Sequence, residues 1–172
     1  MNDAKAFRNA LGNFPTGVTI VTTRTQAGKA VGVTINSFSS LSLDPPLILW
    51  SLATKACSYQ AFATAKYFAV HILAADQKNL AERFALPSME KFDSTNLAAG
   101  LGDVPLLPGC TAIFECSAQH CLPGGDHSIL IGRVESHKVI AGSLPLIFHR
   151  GHYVVPEPGG LFLPTPALSP TG

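Results

Sequence analysis

Apolar positions along the chain come in short runs rich in Val, Ile, Thr and Phe, and each run is bounded by Gly, Pro, Ser or Asp. Runs of about four to eight such residues are typical of β-strands, because β-branched and aromatic side chains fit a pleated, half-buried surface. The turn-prone residues 26–29 lie between two such runs and predict a hairpin. The pattern predicts strands over residues 16–23, 30–35, 47–52, 67–73, 111–118, 128–139, 146–149 and 152–155.

Helical periodicity marks three further segments. Phe7, Leu11 and Phe14 share one helical face, and Leu80 with Phe84 forms an apolar pair one turn apart. Ser, Asp and Asn favour the position just before a helix, where their side chains accept hydrogen bonds from free backbone N–H groups. The predicted helices cover residues 3–14, 58–65 and 77–85, with N-caps at Asn2 or Asp3, at Ser58 and at Asp76.

The element order predicts a mainly β fold. Residues 87–109 are interrupted by Pro and Gly, so we expect a long irregular excursion with one helical turn around residues 89–92. Many short strands, few helices and no repeated strand–helix–strand spacing favour an antiparallel barrel of the α+β type with peripheral helices over a doubly wound sheet. We expect one domain over residues 1–155 and a Pro-rich tail over residues 156–172. The tail is either an arm laid on a neighbouring surface or an extended segment with no role.

The composition predicts self-association. Charged residues make up 13% of the 172 residues, against 47% hydrophobic residues. A monomer of this composition would have little solvated surface, so a partner subunit is expected to cover part of it. A homodimer is the simplest such arrangement.

Charge and hydropathy disfavour two other kinds of partner. The net charge is +1 and no cluster of Lys and Arg occurs along the chain, so nucleic acid is not expected as a partner. No apolar run approaches the roughly 20 residues that a membrane-spanning helix needs, and no membrane association is expected. Residues 1–12 include Asp3, Lys5 and Arg8 and lack the apolar core of a signal peptide, which predicts a cytoplasmic protein.

A polar segment between two apolar runs is the first candidate site. Short hydroxyl and amide side chains occur at Thr34, Asn36, Ser37, Ser39, Ser40 and Ser42. Such groups, with backbone N–H groups, can bind a polar ligand such as a phosphate without much charge. The alternative is that these are ordinary turn residues.

The second candidate is the segment Gly124-Gly125-Asp126-His127. Paired glycines permit a tight turn, which would present His127 at the edge of a strand. The alternative is a surface histidine with no role. No comparable setting is expected for the other histidines, which are His71, His120, His137, His149 and His152.

Several familiar chemistries lack their motifs. The chain contains neither G-x-G-x-x-G nor a P-loop, neither a G-x-S-x-G nucleophile elbow nor a pair of neighbouring carboxylates. Cys57, Cys110, Cys116 and Cys121 follow no zinc-ligand spacing, so no metal site is expected. A polar loop with one positioned imidazole better suits a protein that holds a cofactor, which then supplies the chemistry itself.

Six segments together resemble the short-chain flavin reductase family, which supplies reduced flavin to two-component monooxygenases. The segments are FPTGVTIVTT at 14–23, GVTINSFSSLSLDPPLILWSL at 32–52, NLAERFA at 79–85, EKF at 90–92, FEC at 114–116 and GGDHSILIGRVES at 124–136. The resemblance implies a homodimeric FMN-binding split β-barrel. The chain departs from the family at Glu90, where Asp is common, and at His71, where Asn is common.

The resemblance also implies a set of site residues. Flavin contacts would fall on Val33, Thr34, Asn36, Ser37, Ser51, Leu52, Ala53, Ser58 and Arg83. The family's G-D-H motif matches Gly125, Asp126 and His127, which would place the catalytic imidazole of His127 beside the nicotinamide. Further NAD(P)H contacts would fall on the late turn Arg150, Gly151, His152 and Tyr153.

The expected activity is that of an NAD(P)H:flavin oxidoreductase. Its cofactor would be FMN or FAD, its co-substrate NADH or NADPH, and its partner a flavin-dependent monooxygenase that receives reduced flavin. Two alternatives remain open: a flavin-dependent reductase of another acceptor, such as a metal or corrinoid centre, and a non-catalytic flavin-binding barrel.

Overall fold

The structure is a computed structural model, and it describes residues 3–88, 91–92 and 97–156. The helices are α1 (Ala4–Leu11), α2 (Tyr59–Ala63) and α3 (Lys78–Ala85), with a short 3-10 helix over Leu101–Asp103. The strands are β1 (Thr16–Gly17), β2 (Thr19–Arg24), β3 (Ala30–Ile35), β4 (Ser39–Leu43), β5 (Pro46–Ala53), β6 (Tyr67–Ile72), β7 (Ala98–Ala99), β8 (Pro105–Leu106), β9 (Ala112–Gly124), β10 (His127–Val139), β11 (Ile147–His149) and β12 (His152–Val154).

The described strands form three sheets, and every strand pair in them is antiparallel. The main sheet has seven strands in the order β3-β2-β6-β9-β10-β5-β4. A three-stranded sheet has the order β1-β11-β12, and β7 pairs with β8. The expectation of a mainly antiparallel β fold with few helices is therefore confirmed. None of the helices in the described part of the chain is long and apolar enough to cross a bilayer.

The strand β4 corrects the interpretation of the polar segment as a loop. Ser39 pairs with Leu49 and Leu43 with Pro46, so β4 and β5 form a hairpin around Asp44-Pro45. Most of β4 is exposed at the edge of the main sheet. An exposed edge strand needs no buried face, so its serines gave no alternating apolar signal.

The long β9–β10 hairpin also extends beyond its prediction. The sequence predicted a strand ending at residue 118, whereas β9 continues to Gly124. The last six residues of β9 are exposed, with Pro123 among them, and therefore lack an apolar pattern. The predicted tight turn is confirmed at Gly125-Asp126, where Gly125 has a φ of 76°.

Two apolar clusters fill the core. Trp50 is fully buried at the centre of one, with ring centroids 5.1 Å from Phe62 and 5.8 Å from Phe68 in edge-on arrangements. The other contains Leu73 from the end of β6 and Phe84 from α3. The second cluster fixes α3 against the sheet.

The predicted N-cap positions are confirmed at α1 and α2, and the predicted end of α3 at Ala85 is confirmed as well. The Asp3 carboxylate accepts a hydrogen bond of 2.9 Å from the Lys5 N–H, which confirms this cap, although α1 ends at Leu11. Ser58 precedes α2 without making a side-chain cap bond. The predicted cap at Asp76 is wrong, because α3 starts after Gln77. Residues 89 and 90 of the predicted helical turn lie outside the described residues, and residues 91–92 are not helical.

The expectation that only His127 is held in a specific environment is wrong for His71. The His71 ring is fully buried on β6; its Nδ1 lies 3.0 Å from the Ile20 carbonyl, and its Nε2 accepts a 3.1 Å bond from the Leu107 N–H. Since Nε2 accepts, Nδ1 carries the proton and the ring is neutral. Burial lowers the pKa of His71 from 6.5 to about 4.

We expect His71 to make the fold acid-sensitive. A pKa lowered on folding stabilises the native state above about pH 6.5, and this contribution is lost as pH falls toward 4. In a His71→Asn variant, the deficit in unfolding free energy relative to wild type should shrink by on the order of 3 kcal/mol between pH 7 and pH 4. Urea denaturation at each pH measures it.

The same substitution at His120, which lies exposed on β9, controls for the replacement of a histidine as such. A deficit for His71→Asn that does not change with pH would contradict the assignment of a neutral buried ring.

Candidate functional site

A cavity of about 1290 Å³ contains the first candidate site residues. It lies between α1, the segment after β3, the start of β10 and the β11–β12 turn. Four residues that the sequence predicted for the site line it, namely Asn36, His127, Arg150 and Gly151. The structure therefore brings together residues predicted for the flavin and for the nicotinamide nucleotide.

His127 is held by its neighbour in the hairpin turn. Its Nδ1 lies 2.7 Å from Oδ1 of Asp126. The Asp126 carbonyl in turn accepts bonds of 3.0 Å from the Thr54 N–H and 3.1 Å from the Thr54 hydroxyl, which fix the turn to the end of β5. The hydrogen bond and charge of His127 lower the pKa of the Asp126 carboxyl. With Nδ1 engaged, Nε2 is the ring nitrogen left to interact with a ligand.

Ser37 and Ser51 are bonded to each other. The Ser37 hydroxyl donates a 3.0 Å bond to the Ser51 carbonyl and accepts a 2.9 Å bond from the Ser51 N–H. Similarly, the Thr34 hydroxyl donates a 2.6 Å bond to the Ala81 carbonyl on α3. The fold thus uses the side chains of Ser37 and Thr34 and both backbone polar groups of Ser51.

Asn36 and Ser58 keep polar groups that the fold does not use. The Asn36 side chain is exposed and lines the cavity. Ser58 is 2% exposed, and its hydroxyl makes no hydrogen bond to any described residue. Its neighbour Tyr59 bonds the Ser128 hydroxyl at 2.9 Å, which ties α2 to β10. Because this hydroxyl makes no bond within the described residues, Ser58 is suited to receive a polar ligand.

The remaining predicted flavin residues can contribute backbone groups or apolar surface. Leu52 is buried in the core cluster around Trp50, while Val33 and Ala53 are half-buried. Ala53 pairs with His127 across β5 and β10. The start of β10 is therefore in register with the end of β5.

Arg83 lines a second cavity of about 430 Å³, which shares no lining residue with the main one. Lys91, to which the sequence assigned no role, lines the same cavity. Its ammonium group donates bonds of 3.2 Å to the Gly32 carbonyl and 2.6 Å to the Phe84 carbonyl, and burial lowers its pKa. The only signal for Lys91 in the sequence was its place in the E-K-F segment.

The β11–β12 turn holds Arg150 against the end of α1. Arg150 and Gly151 have φ values of 48° and 84°, as a two-residue hairpin turn requires. His152 and Tyr153 do not line the main cavity; Tyr153 packs edge-on against Phe148 with centroids 5.3 Å apart. Arg150 and Gly151 are thus the two residues of this predicted group that the structure brings to the cavity.

All four cysteines are free thiols, of which Cys110 and Cys116 are buried. Among residues 3–88, 91–92 and 97–156, no group of His, Cys, Asp and Glu is placed to hold a metal ion. Burial raises the pKa of the Cys110 thiol to about 11 and that of Cys116 to about 12. Both thiols therefore stay protonated and unreactive at neutral pH.

Comparison with known proteins identifies the family. Residues 11–156 match the family described as flavin reductase like domain. The reductase component of the flavin-dependent trigonelline monooxygenase of Acinetobacter baylyi is 42% identical over 156 residues, which is 91% of this chain and 50% of that protein. The chain thus spans about half the length of this relative.

Two further relatives agree with this match. The FMN reductase (NADH) SmoA of Agrobacterium fabrum is 46% identical over 132 residues, covering 77% of this chain and 75% of that one. The structure of the NADH:FAD oxidoreductase SgcE6 of Streptomyces globisporus, in complex with NAD and FAD fragments, superposes with a TM-score of 0.82 at 35% identity, covering 88% of this chain and 92% of that one. The chain belongs to the flavin reductase family.

Proposed function

We propose that the chain is an NAD(P)H:flavin oxidoreductase, which transfers hydride from NADH or NADPH to FMN or FAD. The observation that carries the proposal is the cavity shared by Asn36, His127 and Arg150. The Ser58 hydroxyl, which bonds no described residue, lies outside the lining of this cavity at the start of α2. The names of the relatives agree with this activity. Its product would be reduced flavin for a separate monooxygenase.

The size of the cavity is compatible with two ligands. Ligand pockets usually measure about 300–1,000 Å³, and the volume of about 1290 Å³ exceeds that range. A bound flavin would supply the redox chemistry, and the protein would supply binding, ring alignment and exclusion of water. Asn36 and Ser58 offer the groups for flavin polar atoms, while Arg83 in the second cavity is the least direct of the predicted contacts.

His127 would orient the nicotinamide nucleotide. Its Nδ1 is engaged by Asp126, so Nε2 is the atom that would contact the carboxamide or the pyrophosphate. Hydride transfer between two aligned rings requires no proton exchange with a side chain. His127 is therefore expected to affect nucleotide binding and alignment rather than to act as an acid or base.

The proposal includes a homodimeric split barrel over residues 1–155, followed by the tail at 156–172. Ser37 bridges the segment after β3 to β5, so the two halves of the main sheet approach each other. No residue of α1 is buried. Its apolar side chains Phe7 and Leu11 are each 60% exposed, and Phe14, which follows the helix, is 75% exposed. An apolar helix face of this kind is suited to cover by a second subunit. NAD(P)H is a cytoplasmic co-substrate, in keeping with the location expected from the sequence.

The dimer can be tested by light scattering. We expect a mass of twice 18.1 kDa at micromolar concentration. A Leu11→Glu substitution should shift the mass toward the monomer, because it places a charge in the apolar face. Lys5→Glu, on the opposite face of α1, should leave the mass unchanged. A monomeric wild-type protein would refute the proposed dimer.

Flavin binding should depend on Asn36 and Ser58. Asn36→Ala and Ser58→Ala should each weaken flavin affinity by roughly 0.5–3 kcal/mol, as expected for one lost hydrogen bond to a neutral or charged ligand atom. Neither should lower the unfolding free energy, because neither side chain bonds the fold. Titration by fluorescence quenching measures the affinity.

Ser40→Ala is the matched control, since Ser40 lies exposed on β4 and does not line the cavity. If both Asn36→Ala and Ser58→Ala bound flavin as tightly as Ser40→Ala, these residues would have no part in the flavin site.

His127→Ala should separate catalysis from flavin storage. We expect unchanged flavin affinity and a roughly 5- to 30-fold lower kcat/KM for NAD(P)H, mostly through KM, because one ligand hydrogen bond is lost. Asp126→Asn should have a milder effect, since its amide oxygen can still accept the bond from Nδ1. Steady-state assays at saturating flavin measure both.

His120→Ala, on the exposed part of β9, is the control. Wild-type constants for His127→Ala would return this residue to an ordinary surface histidine, and absent NAD(P)H oxidation by the wild type would favour a flavin carrier.

A further inference from the structure

Arg8 on α1 is a cation without a partner at the main cavity. It lines the cavity, and its guanidinium group makes no hydrogen bond or ion pair with any described residue. A cation in the last turn of a helix interacts favourably with the helix dipole, which would give Arg8 a role in stability alone. The surroundings of Arg8 point to an additional role.

A second guanidinium group lies in the same cavity and is fixed in place. Nε and Nη2 of Arg150 donate bonds of 3.0 Å and 2.7 Å to Oδ1 of Asn13. The Asn13 amide in turn donates bonds of 3.0 Å and 3.2 Å to the carbonyls of Asn9 and Ala10, which set its oxygen toward Arg150. The backbone N–H of Arg150 also bonds the Gly12 carbonyl at 2.9 Å. Nη1 of Arg150 stays available.

The charge of the cavity wall is one-sided. Arg8, Arg150 and His127 line it, and no Asp or Glu does among the described residues. Two guanidinium groups without a neighbouring carboxylate favour an anion, and guanidinium matches the geometry of phosphate oxygens. Asp126 is the carboxylate next to His127 in the sequence, and it is hydrogen-bonded to the His127 ring.

We propose that Arg8 joins Arg150, already an expected NAD(P)H contact, in binding the phosphate groups of the nicotinamide nucleotide, and that Asn13 is a positioning residue that holds Arg150 for this contact. The nature of the ligand rests on the proposed function. Both NADH and NADPH carry a pyrophosphate, and NADPH carries an additional 2′-phosphate. The phosphate chemistry is shared, and the experiment distinguishes the two sources.

The test uses calorimetric binding of ADP-ribose, which carries the pyrophosphate without the nicotinamide. Arg8→Gln should raise the Kd for ADP-ribose by roughly 10- to 100-fold, as expected for a lost charge-assisted hydrogen bond. Arg8→Lys should recover part of the affinity. Lys5→Gln, on the same helix but outside the cavity, should bind as wild type does.

A second ligand, 2′-phospho-ADP-ribose, distinguishes a contact to the pyrophosphate from a contact to the 2′-phosphate. If Arg8→Gln weakens ADP-ribose and 2′-phospho-ADP-ribose equally, Arg8 contacts the pyrophosphate; if only the latter weakens, it contacts the 2′-phosphate. Asn13→Ala should weaken binding in the wild-type background and have no further effect in Arg150→Gln, because it acts through Arg150.

Activity with a phosphate-free hydride donor, a 1-benzyl-1,4-dihydronicotinamide, distinguishes failure of the phosphate site from failure of the proposed function. Arg8→Gln should reduce flavin with this donor as the wild type does, while its KM for the dinucleotide rises. Equal binding of both ADP-ribose and 2′-phospho-ADP-ribose by Arg8→Gln and Lys5→Gln would overturn the phosphate site, as would no binding of either ligand to the wild type or a loss of flavin affinity in Arg8→Gln. A wild type that binds ADP-ribose but reduces no flavin would instead refute the proposed function.

Discussion

The reciprocal hydrogen bonds between Ser37 and Ser51 determine how the two sides of the site meet. The last pairing of β4 with β5 is Ser39 with Leu49, so beyond it the backbone of β5 has no neighbouring strand on that side. The Ser37 hydroxyl both donates to and accepts from Ser51, and thus replaces the missing strand. Asn36 is held beside β5 as a result. Because Ala53 at the end of β5 pairs with His127, one hydrogen-bonded region places both residues at the cavity.

Much of this arrangement follows from local sequence pattern, and the exceptions share a cause. The strands with buried residues, such as β2 and β6, were predicted because alternating or continuous burial leaves an apolar signature. Exposed strands such as β4 and the end of β9 leave none. For the site, the sequence indicated Asn36 and His127, but a count of hydroxyl groups does not tell which are used by the fold itself. The Thr34 hydroxyl is used in this way, and its predicted flavin contact stays a prediction.

The roles of two buried polar side chains could not be predicted from the sequence either. His71 bonds Ile20 and Leu107, and Lys91 bonds Gly32 and Phe84. Burial without such bonds would be strongly unfavourable, so both side chains depend on partners that only the folded chain supplies. Lys91 joins the open edge of the main sheet to α3, which carries Arg83.

The basic residues of the site lie close together in the fold but far apart in the sequence. The sequence has no run of Lys and Arg, yet α1 and the β11–β12 turn bring Arg8 and Arg150 from opposite ends of the chain to one wall. No residue of α1 is buried, so the contacts of Gly12 and Asn13 with Arg150 are what tie its C-terminal end to the rest of the chain. The same contacts orient the guanidinium group of Arg150. The contacts that position α1 are therefore the same contacts that orient the proposed anion-binding group. A subunit that covers the apolar face of α1 would also shape the cavity beside it.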